Sequence, residues 1–92
     1  MAVRFEWDPR KAGANLRKHG VSFNEALSVF NDPLGITYPD PDHSDDEQRF
    51  VTFGYSALDR LLVVSHSERG DTSRLINARP AARNERKIYE EG

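Results

Sequence analysis

Four side chains in the last third of the sequence have the types that phosphodiester chemistry needs. His66, Glu68, Arg74 and Arg79 lie within a stretch of 14 residues. A histidine or a carboxylate can move a proton, while an arginine offsets the charge that develops on a pentavalent phosphate. Gly70 falls midway between His66 and Arg74, so a hairpin centred on it would place these two side chains within about 5 Å on one face of a sheet. The spacing predicts a His–Arg site at this hairpin.

A purely structural role is the alternative for the same side chains. In that case Arg74 forms a salt bridge with Glu68 or Asp71, and His66 fills a sheet edge. The sequence contains no glycine-rich phosphate loop, no GxSxG elbow and no HExxH motif. Its three histidines lack metal-ligand spacing. We therefore expect neither a metal site nor a cofactor.

The net charge conceals a basic region. The chain of 92 residues carries 13 basic and 15 acidic residues, for a net charge of −2. Five of the acids fall between residues 40 and 47, and without them the basic residues outnumber the acidic ones by 13 to 10. Seven of the ten arginines follow residue 48. Arginine binds phosphate bidentately, so this half could contact RNA, although a solvated arginine face explains the same count.

Length and composition limit the class of protein. The chain is long enough for one domain, residues 1–92, and too short for two. Because it has no cysteine, disulfides, cysteine-based zinc sites and thiol nucleophiles are excluded. No apolar run approaches the ~20 residues that cross a bilayer, and the first residues lack the apolar stretch of a secretory signal. We expect a cytoplasmic protein without membrane contact.

Capping residues mark the N-terminal helices. Asp8 opens a helix over residues 9–19, and Gly20 ends it. Ala12 and Leu16 are the expected buried stripe of this helix. Residues 22–25 read Ser-Phe-Asn-Glu, a capping box that opens a second helix. Phe23, Ala26, Leu27 and Phe30 should face the core from that helix.

The second half reads as a series of strands. We predict strands over residues 3–7, 36–38, 49–55, 61–67 and 72–78, with an acidic loop over 39–48 and a turn over 68–71. Pro80 is expected to open a final helix with a weak apolar stripe. The order β-α-α-β-β-β-β-α predicts an α+β fold, a small antiparallel sheet with two N-terminal helices and a C-terminal helix.

Two further functions fit single segments. The first two helices could form a helix-turn-helix DNA reader, but their turn is very short and the second helix has no run of base-reading residues. The acidic loop could bind Ca²⁺, but it lacks the glycine and the terminal glutamate of an EF-hand loop.

Motifs along nearly the whole chain resemble one family. They include Phe5-Glu6-Trp7-Asp8-Pro9, Lys18-His19-Gly20-Val21-Ser22-Phe23, His66-Ser67-x-Arg69-Gly70, Arg74-Leu75-Ile76-x-Ala78-Arg79 and Glu85-Arg86-x-x-Tyr89-Glu90. In order and spacing they are similar to the BrnT family of bacterial toxins. The resemblance implies a RelE-like fold and metal-independent RNA cleavage that arrests translation. It also implies a BrnA-like ribbon-helix-helix antitoxin, bound in a heterotetramer that reaches operator DNA only through the antitoxin.

The resemblance also implies roles for individual residues. Arg74 and Arg79 would stabilise the phosphorane, with His66 or Glu68 as the base. The residues expected to bind RNA are Lys18, His19, Arg69, Arg83 and Tyr89.

Two positions depart from the family pattern. Asn77 stands where serine is usual, and Pro80 stands where a charged residue is common. An inert binding module that acts as co-repressor with the antitoxin therefore stays as the alternative function.

Overall fold

The computed structural model describes residues 4–43 and 47–92. In that part of the chain, three helices and five strands follow one another in the predicted order. The elements are β1 (Arg4–Glu6), α1 (Pro9–His19), α2 (Phe23–Ser28), β2 (Ile36–Pro39), β3 (Gln48–Tyr55), β4 (Leu61–Arg69), β5 (Thr72–Pro80) and α3 (Arg83–Glu91). Single 3₁₀ turns cover Val29–Asn31 and Pro41–His43. No helix among the described residues is long and apolar enough to cross a membrane.

The five strands form one sheet in the order β1-β5-β4-β3-β2. Strands β2 to β5 pair antiparallel, and β4 is central, as its continuous apolar sequence predicts. This confirms the α+β class. The edge strand β1 departs from the expected antiparallel sheet, because it pairs with β5 in parallel. Helices α1 and α2 carry the chain from this edge to β2 at the opposite edge.

One face of the sheet packs against α1 and α2, and we call it the core face. It contributes Leu62, Val64, Leu75 and Ala78 to a cluster with Val21, Phe23, Ala26 and Val29. The expected stripe of α1 is partly wrong, because Leu16 is 51% exposed. A polar residue, Asn15, is the buried one in α1.

Asn15 completes the edge of β5 where β1 no longer pairs with it. Its Nδ2 donates to the carbonyl of Ala78 at 2.8 Å and to that of Val21 at 2.9 Å. Its Oδ1 accepts from the backbone N–H of Ala78 at 3.1 Å. A buried backbone group without a partner costs about 1–3 kcal/mol, so this side chain fixes α1 to the C-terminal half of β5.

The capping box of α2 is only half formed. Ser22 Oγ accepts from the backbone N–H of Glu25 at 3.0 Å, as predicted. The Glu25 carboxylate instead accepts from Arg60 Nε at 2.9 Å and from Ser56 Oγ at 2.7 Å. The hydrogen bond from Arg60 holds the pKa of Glu25 below its usual value. This buried carboxylate ties α2 to the β3–β4 loop.

Three predicted boundaries need correction. Strand β5 continues to Pro80, which pairs with Leu62, so the final helix begins only at Arg83. Glu68 belongs to β4, and the turn shortens to residues 70–71. The expected start of the first strand at residue 3 and residues 44–46 of the acidic loop lie outside the described residues.

Candidate functional site

The register of the β4–β5 hairpin separates the residues expected to form one site. The turn consists of residues 70–71, so the hairpin is centred between them rather than on Gly70. His66 therefore pairs with Leu75, while Arg74 pairs with Ser67. Because neighbouring residues of a strand point to opposite faces, His66 and Arg74 lie on opposite sides of the sheet. The predicted His66–Arg74 juxtaposition is wrong.

A bulge brings Arg79 to the same face as Arg74. The register shifts by one residue beside Ser65, which leaves Ile76 as an extra residue in β5. Without that residue, the side chains at 74 and 79 would alternate to opposite faces. With it, Arg74, Asn77 and Arg79 point away from α1 and α2. Arg69 on β4 shares this side, which we call the basic face.

Arg74 is an available cation on the basic face. It is exposed, and its guanidinium forms no hydrogen bond or ion pair within the described part of the chain. The alternative salt bridge of Arg74 with Glu68 or Asp71 is therefore not formed. Arg69 lies diagonally across the hairpin, a relation that brings Cα atoms within about 7–8 Å. Its side chain is 78% exposed and lies 3.5 Å from the Glu47 carboxylate.

Arg79 is bound by α3. Its Nη1 and Nη2 donate to the two carboxylate oxygens of Glu85 at 2.7 and 2.8 Å. The hydrogen bonds from Arg79 lower the pKa of Glu85 to about 2. Arg79 pairs in register with Val63, four residues from the partner of Arg74, so the two Cα atoms are about 13 Å apart. A ligand that spans both arginines must compete with Glu85 for one of them.

Tyr89 holds the far end of α3 on the basic face. Its hydroxyl donates to Asp32 Oδ2 at 2.7 Å, and its ring meets Tyr55 edge-on at 5.3 Å. The hydrogen bond to the Asp32 carboxylate raises the pKa of Tyr89 to about 12. Burial alone would raise the pKa of Asp32, but hydrogen bonds from Tyr55, Leu34 and Tyr89 hold it below its usual value. Tyr89 is thus a structural contact of α3 here.

His66 and Glu68 belong to one hydrogen-bond network on the core face. His66 is 3% exposed, with Nδ1 at 2.6 Å from Glu68 Oε2 and Nε2 at 2.7 Å from Thr52 Oγ1. Thr52 also bonds to Thr37 at 2.8 Å, and Ser73 Oγ donates to Glu68 at 2.6 Å. Burial lowers the pKa of His66, which outweighs the opposing effect of Glu68. We assign the neutral tautomer in which Nδ1–H donates to Glu68 and Nε2 accepts from Thr52.

The residues expected to bind RNA are divided between the two sides. Lys18 and His19 end α1, in the helix layer that packs on the core face. Arg83 begins α3 on the other side. The structure therefore brings Arg69, Arg74 and Arg79 to one face and separates them from His66, Glu68, Lys18 and His19.

Glu6 is a neighbour of Arg74 that sequence reasoning did not select. It is an exposed residue of β1 and pairs in register with Arg74 across the parallel β1–β5 contact. The alternation in β1 shows that Glu6 points away from the core, but nothing in the sequence reveals that β1 lies beside β5. Among the residues that the structure describes, no group of three or more His, Cys, Asp or Glu side chains is arranged to hold a metal.

Comparisons with known proteins identify the family and the fold of the chain. Residues 7–85 match the sequence model of the family described as ribonuclease toxin, BrnT, of type II toxin–antitoxin system. The chain belongs to the BrnT family. A crystal structure described as the ribonuclease toxin BrnT from Brucella abortus has the same fold, with a TM-score of 0.68 and 19% sequence identity. The match covers 87% of this chain and 97% of that one. No curated protein sequence matches the chain significantly.

Proposed function

We propose that this BrnT-family chain is an endoribonuclease that cleaves RNA on its basic face. The open guanidinium of Arg74, with Arg69 diagonally across the hairpin, is the observation that carries the proposal. Two exposed arginines on a sheet face fit the phosphates of a single RNA strand. An RNA substrate is consistent with action in the cytoplasm.

The substrate supplies its own nucleophile in this reaction. The 2′-oxygen attacks the adjacent phosphorus, and the bond from phosphorus to the 5′-oxygen breaks. Glu6 accepts the proton of the 2′-hydroxyl, the departing 5′-oxygen takes a proton from water, and Arg74 stabilises the extra negative charge of the phosphorane. The products are a 2′,3′-cyclic phosphate and a 5′-hydroxyl end. Side chains, the RNA and a water molecule supply every role in this step, so the proposed reaction uses no metal.

Glu6 replaces His66 and Glu68 as the base. A proton acceptor must come within about 3 Å of the 2′-hydroxyl, directly or through one water. His66 and Glu68 lie on the opposite face of the sheet from Arg74, where they bond to Thr52 and Ser73. Their expected role as base is therefore withdrawn in favour of Glu6.

End-group analysis of the cleaved RNA tests the reaction. The purified chain should convert an oligoribonucleotide to cyclic-phosphate and 5′-hydroxyl products at the same rate in EDTA as without it. Glu6→Gln should reduce the rate, while Asp71→Asn should leave it unchanged. Cleavage that EDTA abolishes, or 5′-phosphate products, would contradict this route.

The family supports an antitoxin as the protein partner. We propose a BrnA-like ribbon-helix-helix antitoxin that neutralises the toxin in a heterotetramer and carries it to operator DNA. Co-expression with the neighbouring short gene should suppress growth arrest, and the copurified complex should contain both chains in equal number.

An inert co-repressor remains the second candidate. Arg79 is bound by Glu85 and Tyr89 is bound to Asp32, so two residues expected to act on RNA already have intramolecular partners. A folded chain that cleaves no RNA yet tightens operator binding by the antitoxin would favour this function.

A further inference from the structure

A pocket of about 650 Å³ opens on the core face, beside the turn that follows α2. Three phenylalanines from separate elements line it, namely Phe5, Phe30 and Phe50. His66 and Glu68 also line it, and the centroid of the His66 ring lies 5.0 Å from that of Phe30 and 6.0 Å from that of Phe50. The volume falls in the range of 300–1,000 Å³ that is typical of ligand sites. The pocket lies on the opposite side of the sheet from Arg74, so RNA cleavage does not account for it.

Glu68 supplies the only formal charge among the described residues that line the pocket. Its Oε2 atom accepts from Ser73 at 2.6 Å and lies 2.6 Å from His66 Nδ1. Its Oε1 atom accepts no hydrogen bond from the described residues, and the side chain is 29% exposed. None of the described residues that line the pocket is an arginine or a lysine. One carboxylate oxygen of this phenylalanine-lined pocket therefore has no cation among those residues.

We propose that the pocket docks an arginine side chain presented by a protein partner. A guanidinium is planar, so it stacks on the phenylalanine rings while its N–H fork donates to Glu68. An apolar side chain in the same place would cover the Glu68 carboxylate without pairing its free oxygen, which is costly. A nucleotide would bring phosphate to a pocket that has no cation. Arginine docking does not depend on RNA cleavage at the basic face.

Short peptides added to the full chain test this docking. The probes are three acetylated, amidated pentapeptides whose central residue is arginine, citrulline or norleucine, together with GMP. Citrulline keeps the planar shape of arginine but has no charge. NMR signals of the His66 imidazole and the Phe50 ring report occupancy. We expect the arginine peptide to shift both signals and to bind at least tenfold more tightly than the citrulline peptide.

Two variants distinguish binding of the arginine peptide in the pocket from non-specific attraction to negative charge. Glu68→Gln retains an acceptor for His66 and should abolish the preference for arginine over citrulline. Asp71→Asn removes a carboxylate at the same hairpin, outside the lining, and should leave the preference intact. The ratio of the wild-type affinities for the arginine and citrulline peptides still tests the proposal if Glu68→Gln fails to fold. Equal binding of the arginine and citrulline peptides, tighter binding of norleucine or GMP, or no shift with any probe would overturn the proposal.

Discussion

Both faces of the β4–β5 hairpin carry side chains of the types that catalysis uses. On one face they are buried and hydrogen-bonded, and on the other they are exposed. On the core face, His66 is buried and bonded at both ring nitrogens. On the basic face, Arg74 is exposed and has no partner among the described residues. A buried polar group contributes structure because its bonds are all made, while an exposed cation can still bind a ligand. Exposure and freedom from hydrogen-bond partners among the described residues, more than residue type, therefore distinguish a candidate catalytic side chain from a structural one in this chain.

The largest expected effect is on catalysis at the basic face. Arg74→Ala should lower the single-turnover rate of RNA cleavage by about 10²–10³, which is typical for the loss of one donor to a transition-state anion. Because Arg74 is exposed and has no partner among the described residues, the free energy of unfolding should change by less than about 0.5 kcal/mol. Arg10→Ala on the exposed side of α1 is the control. An unchanged rate in Arg74→Ala would remove the basic face as the active site.

The next effect is on stability from the core side. Asn15→Ala deletes three hydrogen bonds and leaves both backbone groups of Ala78 without partners. We expect a loss of about 3 kcal/mol in the free energy of unfolding, measured by urea denaturation. Asn24→Ala, an exposed change in α2, should cost little. If Asn15→Ala were as stable as Asn24→Ala, α1 would not be fixed to β5 by this side chain.

A smaller effect concerns the acid sensitivity of the core face. Burial lowers the pKa of His66 in the native state, so the unfolded chain binds a proton more readily below its ordinary pKa of about 6.5. The stabilisation that neutral His66 gives the folded state is complete above this ordinary pKa. It is lost as the pH falls toward the pKa of His66 in the native state. We expect the free energy of unfolding of the wild type to fall as the pH is lowered below the ordinary pKa, and that of His66→Gln to fall less. Identical pH profiles in equilibrium unfolding would contradict a neutral, buried His66.

The smallest effect lies where α3 meets the basic face. Glu85→Gln removes the charge that binds Arg79, and a partly exposed ion pair contributes under about 1 kcal/mol. Hydrogen exchange should quicken in α3, and the freed guanidinium should tighten RNA binding about two- to fivefold. Glu90→Gln, near the end of the same helix, is the control. Weaker RNA binding in Glu85→Gln would mean that α3 must stay in place for binding.

Local signals in the sequence predicted the elements well. Asp8 and Gly20 bound α1 as their capping chemistry requires, with Gly20 at a φ of 69°. The apolar run in β4 predicted a central strand. These features depend on interactions within a few residues, which a single sequence records directly.

The candidate site was harder to predict because it depends on register. A hairpin centred on Gly70, instead of half a residue later, pairs His66 with the wrong residue of β5. A register slip of one residue moves every side chain of a strand to the other face of the sheet. The bulge at Ile76 and the parallel pairing of Glu6 with Arg74 are set by tertiary packing. The family resemblance grouped Arg74 and Arg79 with His66 and Glu68 in one site, whereas the register places the arginines on the opposite face of the sheet.

An NMR titration with an uncleavable RNA tests the division of the two faces most directly. A 2′-O-methyl oligoribonucleotide lacks the nucleophile, so it binds without reacting. Backbone amides lie in the plane of the sheet, so the side-chain signals must report which face is occupied. We predict shifts at the Nε–H groups of Arg69 and Arg74, with the His66 ring unchanged. Shifts at His66 with Arg74 unchanged would contradict RNA cleavage on the basic face.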